Sequence, residues 1–371
     1  MYNVEMKIGL NGQNLTSQEN AAGPEKYTFN LYKAIIKQSG GNEVIIYTEH
    51  KQNLADNTKF IKKKLSWTQI SLALELINNP VDVFFSPIHT FPVLAQIFSP
   101  RTKFYIMIHG LEYLLNKNYK TPFFKQLIHP FILWWVCATS KKIIVPSYAT
   151  KNSILEKNWL FVNSEKIEVV YEGLNDNFLE NASPSDGEIL TKYEITNDYL
   201  IFVSTIQPRK NIPGLVKAFA KVIKENQEYA NLKLVIVGRK GWNFTESMEA
   251  PGKYGIDSSV IFAGRVPDNE LPALVRNSNL YVNFSFEEGF GLTVLEAMAS
   301  GVTPVISNIP AHREVASDSA YYSDPFTLQE MSDNIIRGLK EPIEKSKLLA
   351  RANLFSWDKC AEQILAIFAK S

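Results

Sequence analysis

Residues 280–301 read LYVNFSFEEGFGLTVLEAMASG and combine an apolar strand, a loop with two glycines and a helical pattern. Gly289 and Gly291 predict a tight turn, through which the backbone can approach a ligand closely. The helix that follows presents free N–H groups and the positive end of its dipole, which suits a diphosphate. Glu288 in the loop and Glu296 in the helix can accept hydrogen bonds from sugar and ribose hydroxyls. The segment therefore predicts a ligand site at the end of a strand.

Short apolar strands alternate with longer helical patterns on both sides of this segment. Near-continuous apolar strands are typical of parallel sheets covered on both faces, and the alternation predicts doubly wound α/β architecture. The 371 residues are enough for two such domains, and polar Asn181–Glu188 is predicted as part of the linker between them. Further strands are predicted at Lys7–Leu10, Glu43–Thr48, Val81–Ser86, Lys103–Ile108, Lys142–Pro146, Lys166–Tyr171, Tyr199–Val203, Leu232–Val237, Val260–Phe262 and Thr303–Ile306.

The bulk composition argues against some classes of protein. The formal net charge is +1, which gives no basic signature of nucleic-acid binding. Cys137 and Cys360 match no metal or redox spacing, so we expect buried, reduced thiols in a cytoplasmic protein. We expect no signal peptide either, because the first residues lack a basic region followed by a long apolar one.

The most hydrophobic stretch, Phe123–Thr139, leaves two interpretations open. It is too short, and too interrupted by a lysine, a histidine and a proline, to span a bilayer. It is either a buried or half-buried helix of the first domain, or an interfacial patch with Trp134 and Trp135 at headgroup depth. The second interpretation predicts peripheral contact with the inner face of a membrane.

The whole run EEGFGLTVLEAMASG, residues 287–301, resembles the signature of the family-four retaining glycosyltransferases (group 1 glycosyltransferases) of GT-B fold. A purely structural interpretation, in which a helix has acidic residues near its start and ends at Gly301, would explain each of these residues singly. It does not explain the run as a whole. The family pattern has two glutamates separated by seven residues, which Glu288 and Glu296 match. The resemblance implies that the donor is bound by Glu288, by Glu296 and by the residues between them, namely Gly289, Phe290, Gly291, Leu292 and Thr293.

The GT-B fold implied by this resemblance has two Rossmann-like domains that face each other across a deep cleft. An N-terminal acceptor-side domain is predicted over residues 1–175, and a nucleotide-sugar-binding domain over residues 176–354. Phe355–Phe368 resembles the C-terminal helix that crosses back to the first domain, so residues 355–371 are assigned there.

The segment Pro208–Asn211 (PRKN) resembles the family loop whose lysine contacts the donor phosphates, which here is Lys210. Many members also carry an arginine just after the preceding strand. Ser204 and Thr205 occupy that place here, so Arg209 is the natural substitute. Thr205 and Arg209 are accordingly predicted to bind the donor together with Lys210.

Four further positions are assigned by resemblance. Gly238 would border the donor cleft, and the backbone at Arg265 and Val266 would meet the nucleotide base. Gly23 stands where the family has a glycine-rich first loop, although here a proline follows it. His109 follows a predicted strand, at the place of a family histidine that touches the transferred sugar, and Gly110 replaces the aspartate that usually comes next.

The implied reaction moves a hexose from a nucleotide-diphosphate sugar to a hydroxyl of a glycan or lipid-linked acceptor, with retained anomeric configuration. His109, Lys210 and Glu288 are the predicted catalytic residues. No metal or other cofactor is implied, and the sequence has no Asp-x-Asp of the metal-dependent kind. The PRKN loop is common among relatives that resemble bacterial mannosyltransferases, so GDP-mannose is the first candidate donor, before UDP-glucose and UDP-N-acetylglucosamine.

Two other classes remain as alternatives. One is a GT-B enzyme that isomerises a sugar nucleotide, and the other is a non-catalytic GT-B partner subunit. An NAD-dependent oxidoreductase is disfavoured, because no G-x-G-x-x-G follows the first strand.

Overall fold

Two parallel β-sheets, each with its own helices, organise the chain. The computed structural model describes residues 6–15, 23–50, 58–111 and 123–370, and only the backbone of residues 123–129. Two compact units are formed by Met1–Gly173 with Ser356–Ser371 and by Leu174–Phe355.

The sheet of the first unit has the strand order β3-β2-β1-β4-β5-β6-β7, with every neighbouring pair parallel. Its strands are β1 (Lys7–Asn11), β2 (Glu43–Thr48), β3 (Thr58–Phe60), β4 (Val83–Ser86), β5 (Lys103–Met107), β6 (Lys142–Val145) and β7 (Ile167–Val169). The helices between them are α1 (Gly23–Gln38), α2 (Ala73–Asn78, entered through a π-helical turn at Trp67–Leu72), α3 (Val93–Phe98), α4 (Phe123–Thr139) and α5 (Tyr148–Leu155).

The sheet of the second unit repeats this order as β10-β9-β8-β11-β12-β13, again parallel throughout. Its strands are β8 (Tyr199–Val203), β9 (Lys233–Val237), β10 (Val260–Gly264), β11 (Leu280–Asn283), β12 (Pro304–Ser307) and β13 (Tyr321–Ser323). Its helices are α6 (Asp186–Lys192), α7 (Ile212–Glu225), α8 (Thr245–Lys253), α9 (Leu271–Arg276), α10 (Leu292–Ala299), α11 (Pro310–Ala316), α12 (Leu328–Lys340) and α13 (Lys345–Ala352). The predicted doubly wound α/β architecture is confirmed.

Burial on both faces explains the near-continuous apolar strands of the second unit. Along β8, Leu200 and Phe202 enter one hydrophobic cluster, whereas Ile201 enters the cluster on the opposite face. The helix α7 covers one face with side chains at helical spacing, such as Leu215 and Phe219. Each such fully buried side chain stabilises the fold by roughly 1.5–3 kcal/mol.

The order of the strands reverses direction between β8 and β11, which are hydrogen-bonded neighbours. Loops that leave two such strands at their carboxyl ends diverge to opposite faces and leave a crevice between them. The loops after β8 and β11 contain the PRKN segment and the EEGFG segment. The topology therefore places both at the switch point of this sheet.

The last described helix, α14 (Trp357–Ala369), belongs to the first unit. It packs on α1 through Trp357, Cys360 and Ile364, and the Trp357 ring lies 5.5 Å from the ring of Tyr27. Gly173 is required beneath it, because a Cβ there would lie 2.2 Å from the backbone nitrogen of Trp357. The prediction that the C-terminal helix returns to the first domain is confirmed.

The segment Asn181–Glu188, predicted as part of the linker, lies inside the second unit instead. Helix α6 begins there at Asp186, and Arg276 of α9 donates two hydrogen bonds of 2.7 and 2.6 Å to the Asp186 carboxylate. This bond with Arg276 holds the pKa of Asp186 below its ordinary value. The prediction was wrong because a partner ninety residues away orders these turn-forming residues.

Helix α4 is half-buried along the part whose side chains are described. Leu133 and Cys137 are fully buried, Trp134 is half-buried, and Phe131 is 60% exposed. Burial raises the pKa of the Cys137 thiol to about 12, so it is a protonated core side chain at neutral pH. Contact of this helix with a membrane remains a prediction.

Across the described residues, none of the helices combines the length and the apolar character that a membrane crossing requires.

Candidate functional site

The PRKN segment forms a tight turn after β8 that a buried asparagine holds in place. Pro208–Lys210 is one turn of 3-10 helix, and Asn211 then adopts the left-handed backbone conformation, φ 51°, before α7 begins. Asparagine tolerates this conformation better than most residues. The Asn211 side chain donates hydrogen bonds of 3.1 Å to the carbonyls of Phe284 and Pro325. It thereby ties the turn to the loop that follows β11, a role that the sequence prediction missed.

Three predicted site residues meet at this junction. The Lys210 ammonium donates to Oε1 of Glu288 at 2.6 Å, and Nη1 of Arg209 donates to Oε2 at 3.1 Å. Nη1 of Arg209 also donates to the carbonyl of Glu287 at 2.9 Å. The side chains of Lys210 and Glu288 are only 9% and 10% exposed. Two cations face one carboxylate here, so an anionic ligand would balance the remaining positive charge.

The environment of Glu288 keeps it ionised. Burial would raise the pKa of this carboxyl group, but the charges of Lys210 and Arg209 outweigh that effect and hold the pKa far below its ordinary value. At neutral pH, Glu288 can therefore only accept hydrogen bonds.

Gly291 lies directly before helix α10, in the left-handed region with φ 112°. The first N–H groups of the helix, at Leu292 and Thr293, have no acceptor within it. Glu296 is 3% exposed, one turn into the helix. The Phe290 ring is buried, 5.8 Å from the ring of Phe355, so Phe290 could reach a ligand only through its backbone.

The other predicted donor-binding residues of the second unit surround the ends of its central strands. A Cβ on Gly238, which follows β9, would lie 1.8 Å from the carbonyl oxygen of Ser204, so the close approach of this loop to Thr205 requires glycine. The side chain of Arg265 is 27% exposed and lies 3.9 Å from Asp268. The side chain of Val266 is buried in the core.

Two predicted site residues belong to the first unit. Gly23 begins α1 with open space where a Cβ would be, so no described neighbour requires a glycine. Nδ1 of His109 lies 3.3 Å from Oε1 of Glu172, and its Nε2 lies 3.0 Å from the carbonyl oxygen of Pro87. Because a carbonyl only accepts, Nε2 carries a hydrogen. A sugar hydroxyl that contacted this ring would have to replace one of these two bonds.

His312 in α11 is a buried residue next to the EEGFG loop. The Ser307 hydroxyl donates to the carbonyl of Ser285 at 2.7 Å, so it cannot also donate to His312. Nδ1 of His312 lies 3.1 Å from both the hydroxyl and the carbonyl oxygens of Ser307, and must therefore carry the hydrogen. Nε2 is then a buried acceptor, and it has no partner among the described residues.

The charge state of His312 follows from its surroundings. Burial lowers its pKa to about 4, against an ordinary value of 6.5, and Lys210 acts in the same direction while Glu288 opposes it. His312 is therefore a neutral imidazole at physiological pH. The segment SNIPAHREV contains the residue but gives no sign that the fold carries it to Gly291, where a Cβ would lie 3.3 Å from Cδ2 of the ring.

Two family models match the chain. "Glycosyltransferase Family 4" matches residues 21–178, and "Glycosyl transferases group 1" matches residues 188–353. The chain belongs to the group 1 glycosyltransferases. The second match contains the whole Lys210–Arg209–Glu288 cluster and His312.

Curated relatives of this glycosyltransferase are aligned over part of their length. O-antigen chain mannosyltransferase B of Escherichia coli is 32% identical over 182 residues, which is 48% of this chain and 47% of that protein. O-antigen chain mannosyltransferase RfbU of Salmonella typhimurium is 29% identical over 207 residues, 56% of this chain and 53% of that protein. The matched region thus spans about half the length of each relative.

The likeness to solved structures extends over the whole glycosyltransferase chain. The Anabaena HepE structure in complex with UDP-glucose superposes with a TM-score of 0.76 at 17% identity, covering 99% of this chain and 100% of that one. At this level of identity the likeness shows the fold alone. It confirms the predicted GT-B fold.

The depressed pKa of His312 predicts that the glycosyltransferase loses stability in mild acid. Because the folded protein resists protonation of this ring, the stabilisation is complete above pH 6.5 and is lost as the pH falls towards about 4. The loss should reach about 3 kcal/mol in the free energy of unfolding. Urea denaturation at pH 7.5, 6.0, 5.0 and 4.0 would measure it.

His312→Asn keeps a donor for Ser307 but cannot titrate, so its stability should depend less on pH over this range. The same change at the exposed His50 serves as the control and should leave the wild-type dependence intact. If the free energy of unfolding depended on pH equally in the wild type and in His312→Asn, the depressed pKa assigned to His312 would be contradicted.

Proposed function

We propose that this protein transfers a hexose, with retention of configuration, from a nucleotide-diphosphate sugar to a hydroxyl of a glycan or glycolipid. The proposal places it in polysaccharide or glycoconjugate biosynthesis. Its main support is the largely buried cluster of Lys210, Arg209 and Glu288 at the switch point, next to the start of α10. Membership of the group 1 glycosyltransferases supports the reaction class.

The electrostatics of the cluster suit the cleavage of a glycosyl–phosphate bond. As the bond breaks, negative charge grows on the leaving diphosphate while the sugar becomes cation-like. Lys210 supplies a buried positive charge and Arg209 a half-buried one, and the free N–H groups of Leu292 and Thr293 supply fixed dipoles. Charges and dipoles already in place stabilise such a transition state without further reorganisation.

Glu288 would serve the sugar rather than the phosphate. As an ionised acceptor between two cations, it can hold a sugar hydroxyl and orient the ring, and it offsets part of the positive charge beside the developing sugar cation. Glu296 would accept from the ribose hydroxyls.

In the proposed retaining reaction the bond from the anomeric carbon to the phosphate oxygen breaks, and a bond to the acceptor oxygen forms on the same face. The acceptor's hydroxyl proton passes to the leaving phosphate oxygen. No side-chain nucleophile and no metal ion is then required. The two cations take the role that a divalent ion has in metal-dependent transferases.

GDP-mannose is the proposed donor, because both curated relatives described above are named as mannosyltransferases of the O-antigen chain. UDP-glucose is the second candidate, since the similar HepE structure contains it. The acceptor would be a growing glycan or a lipid-linked one. We place the enzyme in the cytoplasm, with peripheral membrane contact through α4 of the first unit.

The decisive experiment incubates the purified protein with GDP-mannose, UDP-glucose or UDP-N-acetylglucosamine, with and without EDTA, and follows the release of nucleoside diphosphate. We expect fastest release from GDP-mannose and no effect of the chelator. With a lipid-linked glycan acceptor, NMR of the product should show the anomeric configuration of the donor. Isomerised donor without release would identify an epimerase, and no release above background would point to a non-catalytic subunit.

A further inference from the structure

A chain of buried polar side chains lies beneath the EEGFG loop and ends at Thr293. The backbone N–H of Ser285 donates to Oδ1 of Asn283 at 3.0 Å, and Nδ2 of Asn283 is 3.1 Å from the hydroxyl oxygen of Tyr281. That oxygen is in turn 2.7 Å from Oγ1 of Thr293. Tyr281 and Asn283 are 0% and 1% exposed, so no water competes for these bonds.

The direction of each bond in this chain can be assigned from what its atoms are able to donate and accept. A backbone N–H can only donate, so the Asn283 atom facing Ser285 is the amide oxygen, and the amide nitrogen must face Tyr281. The Tyr281 oxygen accepts from that nitrogen, and among the described residues Thr293 alone offers an acceptor for the Tyr281 hydrogen, so we assign that hydrogen to Thr293. Burial raises the pKa of Tyr281 well above its ordinary value, so the hydroxyl keeps this hydrogen at any working pH.

Thr293 is left with a hydrogen to donate. It lies in the first turn of α10, its side chain is half-buried, and its oxygen already accepts from Tyr281. No described residue accepts its hydroxyl hydrogen. A free hydroxyl can rotate and present either its hydrogen or its lone pairs. The bond from Tyr281 occupies one lone pair of the Thr293 oxygen and keeps the Thr293 hydrogen from pointing at Tyr281.

A second unpaired group lies at the same helix start. Nε2 of the fully buried His312 is an acceptor without a partner, and an ideal Cβ on Gly291 would lie 3.9 Å from it. The start of α10 thus has an unused acceptor beside Gly291 and an unused donor at Thr293. Structures rarely leave buried polar groups unpaired unless a ligand or water completes them.

We propose that Tyr281 and Asn283 are positioning residues that turn the hydroxyl hydrogen of Thr293 towards the diphosphate of the donor. The proposal rests on the proposed function, because it needs a diphosphate at the start of α10. Phosphate oxygens only accept hydrogen bonds, so a threonine held as a donor binds them without first reorienting. Tyr281 and Asn283 would act through Thr293 and touch no ligand themselves.

Isothermal titration calorimetry with GDP and with UDP tests the proposal on the intact protein. Thr293→Val should raise the Kd roughly tenfold, the effect expected for one hydrogen bond to a charged group. Tyr281→Phe should raise it about fivefold, because the threonine hydroxyl is then free to turn away. The two effects should not add, so Tyr281→Phe should change the Kd less than about twofold in the Thr293→Val background. Thr293→Ser keeps the hydroxyl and should bind nearly as wild type does.

Tyr199→Phe is the matched control for loss of a buried tyrosine hydroxyl. Tyr199 is 2% exposed in the same core cluster, and its hydroxyl donates to the carbonyl of Leu274 at 2.7 Å, outside the chain that leads to Thr293. It should lower the melting temperature about as much as Tyr281→Phe does and leave the Kd unchanged.

The outcomes separate this proposal from the proposed function. If the wild type binds GDP or UDP but the two substitutions weaken binding additively, or if Tyr199→Phe weakens it equally, the positioning role is overturned. If the wild type binds neither nucleotide, the proposed function fails and the positioning role fails with it.

Discussion

Glu288→Gln should lower the kcat/KM of transfer by a factor on the order of a hundred to a thousand, with the fold intact. The substitution preserves the shape of the side chain but removes the negative charge that lies 2.6 Å from Lys210 and 3.1 Å from Arg209. The same variant should bind GDP several-fold more tightly, because a diphosphate no longer shares the two cations with a carboxylate. Steady-state kinetics and calorimetry would measure the two effects.

Opposite changes in catalysis and in nucleotide affinity are what distinguish a catalytic role of Glu288 from a structural one. A damaged site would lose both. Glu270→Gln is a suitable control, since Glu270 is also a largely buried carboxylate that accepts from a lysine, Lys192, at 2.7 Å. Wild-type turnover in Glu288→Gln would refute the assignment.

Lys210→Met should have the second largest effect, since it removes the buried one of the two cations that bond to Glu288. We expect kcat/KM to fall roughly a hundredfold, because the leaving diphosphate loses one of its two proposed counter-charges. The free energy of unfolding should also fall by about 2 kcal/mol, because Glu288 keeps only Arg209 as a partner. Lys210→Arg keeps the charge. Compared with Lys210→Met, it should restore more of the lost stability than of the lost activity.

The matched control for this variant is Lys192→Met. Lys192 also bonds a glutamate at 2.7 Å, but its side chain is 55% exposed, so the loss in stability should stay below about 1 kcal/mol. Unchanged GDP affinity and turnover in Lys210→Met would transfer the phosphate role to Arg209. That outcome would contradict the predicted fall in kcat/KM of Lys210→Met but not the predicted fall in its free energy of unfolding.

The sequence predicted the architecture well because parallel strands buried on both faces carry a strong local signal. Tyr199–Val203 is apolar throughout, and its predicted bounds agree with the structure. The signal fails at sheet edges. The strand Thr58–Phe60 contains one apolar residue, is largely exposed and, among the described strands, pairs with β2 alone, so no local pattern marks it. The helix at Asp186 was missed for a related reason, since its stability comes from Arg276 across the fold.

At the site, too, short motifs predicted the roles of single residues but not the contacts between residues far apart in the sequence. Family resemblance identified Lys210 with phosphate and Glu288 with sugar as separate roles, but not that they bond to each other across seventy-eight residues. The sequence predicts neither the acceptor nitrogen of His312 nor the direction of the Tyr281–Thr293 bond. Both depend on which atom of each group carries a hydrogen, and only three-dimensional contacts determine that.

During synthesis on the ribosome, the first unit stays incomplete long after its own strands have emerged. The face of α1 around Tyr27 is covered by α14, whose residues are translated only after the whole of Leu174–Phe355. At elongation rates of roughly 5–20 residues per second, this interval lasts on the order of ten to forty seconds. Throughout that time the nascent first unit exposes an apolar face to chaperones and to neighbouring chains. The first unit is thus translated first, but its core is completed only when the last helix of the chain has been made.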